Sequence, residues 1–251
     1  ADWDVWGLRF GALARPWPQH LGVEEIAGRY ADGIRARFGP GSRIVLVGWS
    51  IGGTLAAELA GLLAHEYRVD AVLLDSLAPG PQVDVGGFDP DAERELLARV
   101  LPAELAGRLD GAAGTEQLWR TVGELVPGRP EQAVLVRALA GSISETLMED
   151  LGAGGAPADI EQFNTLRTLI AARNAYRPRH RLERLTALRA TDGEAFNCTQ
   201  WGALAPDGFR AGELEGNHYS ILMGTGAEAT AETVARFAAV PRPADGREAG
   251  R

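Results

Sequence analysis

The sequence predicts an α/β protein, a mostly parallel sheet with helices on both faces. Three observations carry this. Through the first hundred residues, short Val/Ile/Leu runs alternate with segments of helical periodicity, and strands alternating with helices imply right-handed crossovers and a parallel sheet. The string "GWSIGG", Gly48 to Gly53, stands between the apolar run "RIVLV" and a helical segment. The chain is 251 residues long and 45% apolar, and at that length folding removes roughly 70 to 75% of the extended surface from water, enough for a full core.

The elements follow in order. "WDVWGLRF" (3–10) has strand composition, and 23–38 places Ile26, Tyr30, Ile34 and Phe38 at helical spacing. Next come a strand over 43–47, a helix over 51–67 and a strand over 69–75; the short Val/Ile/Leu runs suit strands buried on both faces. From 79 to 177 the pattern becomes helical, with segments at 91–109, 115–126, 131–151 and 159–176 divided by Gly and Pro loops such as 152–158, which are flexible by composition. "RLTALRA" (184–190) and "GFRAGELE" (208–215) read as two more strands, and 225–240 as a last helix. The organisation is therefore a first core part (1–78), a helical insertion (79–177), a second core part (178–240) and a tail (241–251) expected to be disordered.

Composition excludes several function classes. A formal charge of -9 argues against binding nucleic acid through phosphate contacts. All 25 basic residues are arginine, and the group Arg173, Arg177, Arg179, Arg181 and Arg184 reads as a solvated face. No apolar run approaches the roughly 20 residues of a membrane span, and "ADWDVWGLRF" lacks the pattern of a signal peptide. Cys198 is the single cysteine, so no internal disulfide forms; it reads as a small, partly buried side chain in a cytoplasmic protein. No Cys/His spacing around it suits a metal, and none is expected.

The glycines around Ser50 have a physical reason. A serine on a tight turn between a buried strand and a helix needs strained backbone angles and small neighbours, here Gly48 and Gly52, while Gly53 lets the helix start lie against the sheet. The turn lifts the Ser50 hydroxyl above the sheet edge and aims the Ile51 N–H, at the positive end of the helix, where an oxyanion would form. A neutral serine needs a base and an acid further along the chain. Of His20, His65, His180 and His218, only His218, in "GNHYSIL", falls between the last strand and the last helix, where side chains converge at the ends of parallel strands. Asp75 ends the strand after the serine's helix and Asp192 ends a later strand. Either could orient the imidazole.

Together "GWSIGG", "LLDSLAP", "NAYRP" and "GNHYSIL" resemble the type I thioesterase domains that terminate nonribosomal peptide synthetases and polyketide synthases. The resemblance implies the α/β-hydrolase fold, with residues 79–177 as a mobile lid. It implies Ser50 as nucleophile, Asp75 as acid, His218 as base and Ile51 as one oxyanion donor. It also implies no bound cofactor, the acyl or peptidyl chain arriving on the phosphopantetheine of a carrier protein domain upstream in the same polypeptide. Family members carry a glycine-bearing loop that supplies a second oxyanion donor; no residue of this chain matches it, and the sequence is expected to be a piece of a longer protein.

The product is either a free acid or a ring. Rival readings are a stand-alone editing thioesterase, whose acid usually lies on the later strand and which would therefore use Asp192, a general serine esterase, and a non-catalytic module that docks a carrier. Trp49 either lines the acyl pocket or packs; Trp119, Phe163, Leu166 and Ile170 read as a small core of the helical block, and Tyr219 and Ser220 as supports of the histidine's loop.

Overall fold

The computed structural model describes residues 3–9, 11–78, 80, 83–145, 147–148, 159–192 and 198–239. The tail 241–251, the loop 152–158 and the side chain of Cys198 lie outside the described residues. Contacts divide the described chain into two compact units, one drawn from 1–8, 31–78 and 179–251, the other from 9–30 and 79–178. The second unit thus takes residues 9–30 in addition to the helical block that the sequence sets apart.

The first unit is built on four parallel strands in the order β1 (Arg43–Trp49), β2 (Arg68–Leu74), β3 (Leu185–Ala190) and β4 (Phe209–Leu214). Every residue of β2 after Arg68 is buried, as befits a central strand of mostly apolar residues, and the one charge among them, Asp70, is paired with Arg43 at 3.0 Å. Strand β1 pairs in register with β2 from Arg43 opposite Arg68 to Trp49 opposite Leu74, so the two strands end side by side. Between them runs helix α2 (Ile51–Leu63), packed on both.

Side-chain alternation assigns the two sheet faces. Val72, Leu74, Leu188, Ala190 and Leu214 form one buried cluster with Ile221, and Val234 and Phe237 of the last helix, α8 (Gly224–Ala239), close over it. A Cβ at Gly212 would stand 2.9 Å from the Leu188 side chain and in ordinary contact, at 3.4 Å, with Phe237. The opposite face carries α2, which gives the three-layer arrangement expected of buried parallel strands.

Residues 3–9 form no strand. Val5, Trp6 and Leu8 stay exposed, and the aromatic rings are used differently: Trp6 meets Phe38 edge-on at 6.3 Å under the guanidinium of Arg37, and Arg43 lies over Trp3. Helix α1 (Val23–Arg37) buries Ile26 and Ile34, with Glu24 and Glu25 in its first turn and Arg35 and Arg37 in its last, as the helix dipole favours.

The second unit contains α3 (Pro90–Ala98), α4 (Ala103–Ala106), α5 (Thr115–Leu125), α6 (Arg129–Ile143) and α7 (Ile160–Ala175). The segment expected as one helix over 91–109 is broken because Pro102 lacks an N–H and disfavours helical geometry at Leu101. Asp89 caps α3, accepting from the N–H groups of Asp91 and Ala92; the Ala92 bond above all holds its carboxyl below the usual carboxylate range. Trp119, Phe163 and Ile170 are buried, Leu166 partly. Among them lies an ion pair that no sequence pattern announces: Arg167 and Glu93, both fully buried, meet at 2.6 Å. Trp119 and the second nitrogen of Arg167 complete the Glu93 carboxylate, while Val85, Gly87 and Asn164 accept the remaining Arg167 N–H groups, so both buried charges are satisfied. Among the described residues, no helix is long and apolar enough to cross a membrane.

Candidate active site

The strand–turn–helix unit around Ser50 sets the site. The Ser50 N–H donates to Leu74 at 3.0 Å, carrying the β1–β2 ladder one residue past the strand, and α2 begins at the next residue. This abrupt reversal places Ser50 at φ 54° and ψ −125°. Among the described non-glycine residues only Ser50 and Asp75 have positive φ, a strain of order 1–3 kcal/mol each that surrounding structure must hold.

The crowding falls on Gly48 and Gly53. A Cβ at Gly48 would stand 2.1 Å from the Gly52 carbonyl oxygen, and one at Gly53 would stand 2.3 Å from the Ser76 hydroxyl. Nothing lies within 4 Å of a Cβ at Gly52, which corrects the sequence-based pairing of Gly48 with Gly52. It is the carbonyl of Gly52, not its missing side chain, that meets Gly48. Ser76, itself buried, donates to the Ser50 carbonyl at 2.6 Å, and the Gly53 N–H donates to the same oxygen at 3.0 Å. The Ile51 N–H is in the first turn of α2, where no intrahelical acceptor exists.

Asp75 leaves β2 beside Ser50. Its N–H donates to Leu188, its Oδ1 accepts from the Ala190 N–H at 2.9 Å, and its Oδ2 lies 2.7 Å from Nδ1 of His218. The carboxylate is thus fixed to β3 on one side and to the imidazole on the other. The His218 loop is fixed too: the Asn217 side-chain oxygen accepts from the N–H groups of Tyr219 and Ser220, and the Asn217 N–H donates to the Ser220 hydroxyl. Gly216, at φ 112°, makes the turn into it, and a Cβ there would meet Ser220 at 2.4 Å. Ser220 therefore supports the loop.

No protein-family model matches the chain, and no curated protein matches it. Solved structures do. The NocB thioesterase domain, in covalent complex with a fluorophosphonate nocardicin G analogue, aligns over 87% of this chain and 75% of its own at 20% identity, with a TM-score of 0.50. A holo four-domain nonribosomal peptide synthetase bound to AMP and glycine aligns over 88% of this chain and 16% of its own at 22% identity, with a TM-score of 0.51. The chain has the α/β-hydrolase fold.

Within the α/β-hydrolase fold the remaining candidates separate. Asp192 is exposed; its N–H donates to Gly216 and its carboxylate accepts from the Thr191 hydroxyl, whereas the His218 ring pairs with Asp75. His65 is exposed at the end of α2, His20 lies against Phe88, and His180 lies 3.3 Å from the buried Glu58. Trp49 is turned to His218, its ring centroid 4.7 Å from the imidazole. Two contributors escaped the sequence reading. The hydroxyl of Ser76 and the amide of Ala190 hold the elbow and the Asp75 carboxylate; only the first leaves a trace in the sequence, as the serine directly after Asp75 in "LLDS". Among the described residues no group of three or more His, Cys, Asp or Glu could hold a metal ion.

Proposed function

We propose that the chain is a thioesterase that releases an acyl or peptidyl chain from the phosphopantetheine thioester of a carrier protein through an acyl-serine intermediate. The observation that carries the reading is the junction of three elements at one sheet edge. Ser50 sits on a strained elbow at the end of β1, Asp75 at the end of the adjacent β2, and His218 is bound to Asp75 and packed on Trp49, the residue before Ser50.

In this reading Asp75 holds the Nδ1–H of His218, leaving Nε2 to take the Ser50 proton as Oγ attacks the thioester carbonyl. The oxyanion forms toward the Ile51 N–H. When the tetrahedral intermediate collapses, the carbon–sulfur bond breaks and the imidazolium returns its proton to the departing thiolate. Water, or an amine or hydroxyl of the bound chain, then gives its proton to His218 and attacks the acyl-serine; the acyl carbon–Oγ bond breaks, His218 returns the proton to Ser50, and a free acid or a ring leaves. The two solved neighbours support the reading through fold, one being a thioesterase domain and the other a nonribosomal peptide synthetase. A carrier domain upstream in the same polypeptide is the partner we assign.

The test is release from the carrier itself. Purified protein, mixed with a carrier domain loaded with a peptidyl thioester, should free the peptide many times over. Turnover equal to that of Ser50→Ala would overturn the proposal.

A further inference from the structure

The mechanism above makes no use of Trp49, yet among the described aromatic side chains its ring lies nearest the imidazole of His218. The Trp49 indole lies 4.7 Å from the imidazole, centroid to centroid, at an interplanar angle of 32°. Its Nε1–H donates to the His218 backbone carbonyl at 2.8 Å. Tyr219 packs edge-on against both rings, 5.0 Å from the imidazole and 5.8 Å from the indole. One side chain therefore fixes the backbone of His218 by a hydrogen bond and its ring by packing, from a position covalently next to Ser50.

We propose that Trp49 is a positioning residue for His218, tying the loop of the base to the strand that delivers the nucleophile and stabilising the imidazolium across its π face. The assignment rests on the reading of Ser50 and His218 as nucleophile and base. Three contacts locate the imidazole: Asp75 at Nδ1, the indole face, and the indole N–H at the backbone. The distance is within the roughly 6 Å at which a cation is drawn to an aromatic face. That attraction is weaker while the ring is neutral and grows as it gains the Ser50 proton, so it favours the transition state over the bound substrate. The alternative role, a wall of the acyl pocket, would leave the indole N–H and at least one face for substrate; here the N–H is already given to His218.

The two roles separate in kinetics. Trp49→Leu removes packing and hydrogen bond; Trp49→Phe keeps an aromatic face and loses the donor. With a peptidyl thioester, Trp49→Leu should lower kcat by roughly 30- to 100-fold with KM within about twofold, and Trp49→Phe should lower kcat by roughly 3- to 10-fold. The rate of Ser50 labelling by a fluorophosphonate should fall in the same order. A raised KM at unchanged kcat would assign Trp49 to the substrate pocket and overturn the proposal. If Trp49→Leu fails to fold by circular dichroism, Trp49→Phe decides: a wild-type kcat overturns it. Failure of the underlying reading looks different, because then wild-type protein itself is not labelled at Ser50, and the role of Trp49 falls with it.

Discussion

Nδ1 of His218 lies 2.7 Å from Oδ2 of Asp75, 143 residues earlier in the chain. In the proposed mechanism this pair is what makes the strained Ser50 reactive. Of the two acids that the sequence left open, Asp75 is the one that meets the imidazole, while the Asp192 carboxylate accepts from the Thr191 hydroxyl.

The first prediction follows from that pair. Asp75→Asn should cut kcat by on the order of 10³ to 10⁴, because an amide cannot hold the same tautomer or offset the imidazolium charge. Asp192→Asn should leave kcat within about twofold, its side chain lying on an exposed turn. Steady-state kinetics of both variants on one thioester checks this, and the reverse pattern would move the acid to the later strand.

The elbow glycines should differ sharply. Gly48→Ala drives a methyl to 2.1 Å from a backbone carbonyl, which cannot yield without shifting β1 against α2, and it should cost at least about 2 kcal/mol. Gly52→Ala meets no neighbour within 4 Å and should change stability by less than about 1 kcal/mol. Urea denaturation of the two variants measures the difference.

In the helical unit, removing one partner of the buried pair should be costly. Glu93→Ala leaves the Arg167 guanidinium buried without its carboxylate and should destabilise by roughly 3–5 kcal/mol, seen as a lowered urea midpoint. Glu93→Ala together with Arg167→Met removes both charges and should recover part of that loss.

The central strands β2 and β3 were legible because they are buried on both faces and therefore written in mostly apolar residues. The sequence reading of 69–75 and 184–190 falls within one residue of β2 and β3. The Ser50 turn was legible because tight geometry demands glycine. Where the reading failed, the side chains served purposes that composition does not show. "WDVWGLRF" has strand composition, but its tryptophans pair with Arg37, Arg43 and Phe38 instead of entering a ladder. The motif pairs Gly52 with Gly48 as if both were steric requirements, whereas the close approach is to the Gly52 carbonyl. Glu93 and Arg167 are charged residues that ordinarily face solvent, and only long-range packing, 74 positions apart, reveals that each is the other's partner.

The proposed function turns on an acyl group carried by Ser50, and mass spectrometry tests it most directly. After a short incubation with a slowly released peptidyl thioester, the mass of the acyl group should appear on the peptide containing Ser50, and should be absent from Ser50→Ala. An adduct of the same mass that persists in Ser50→Ala, or one found on another residue of the wild-type protein, would contradict it.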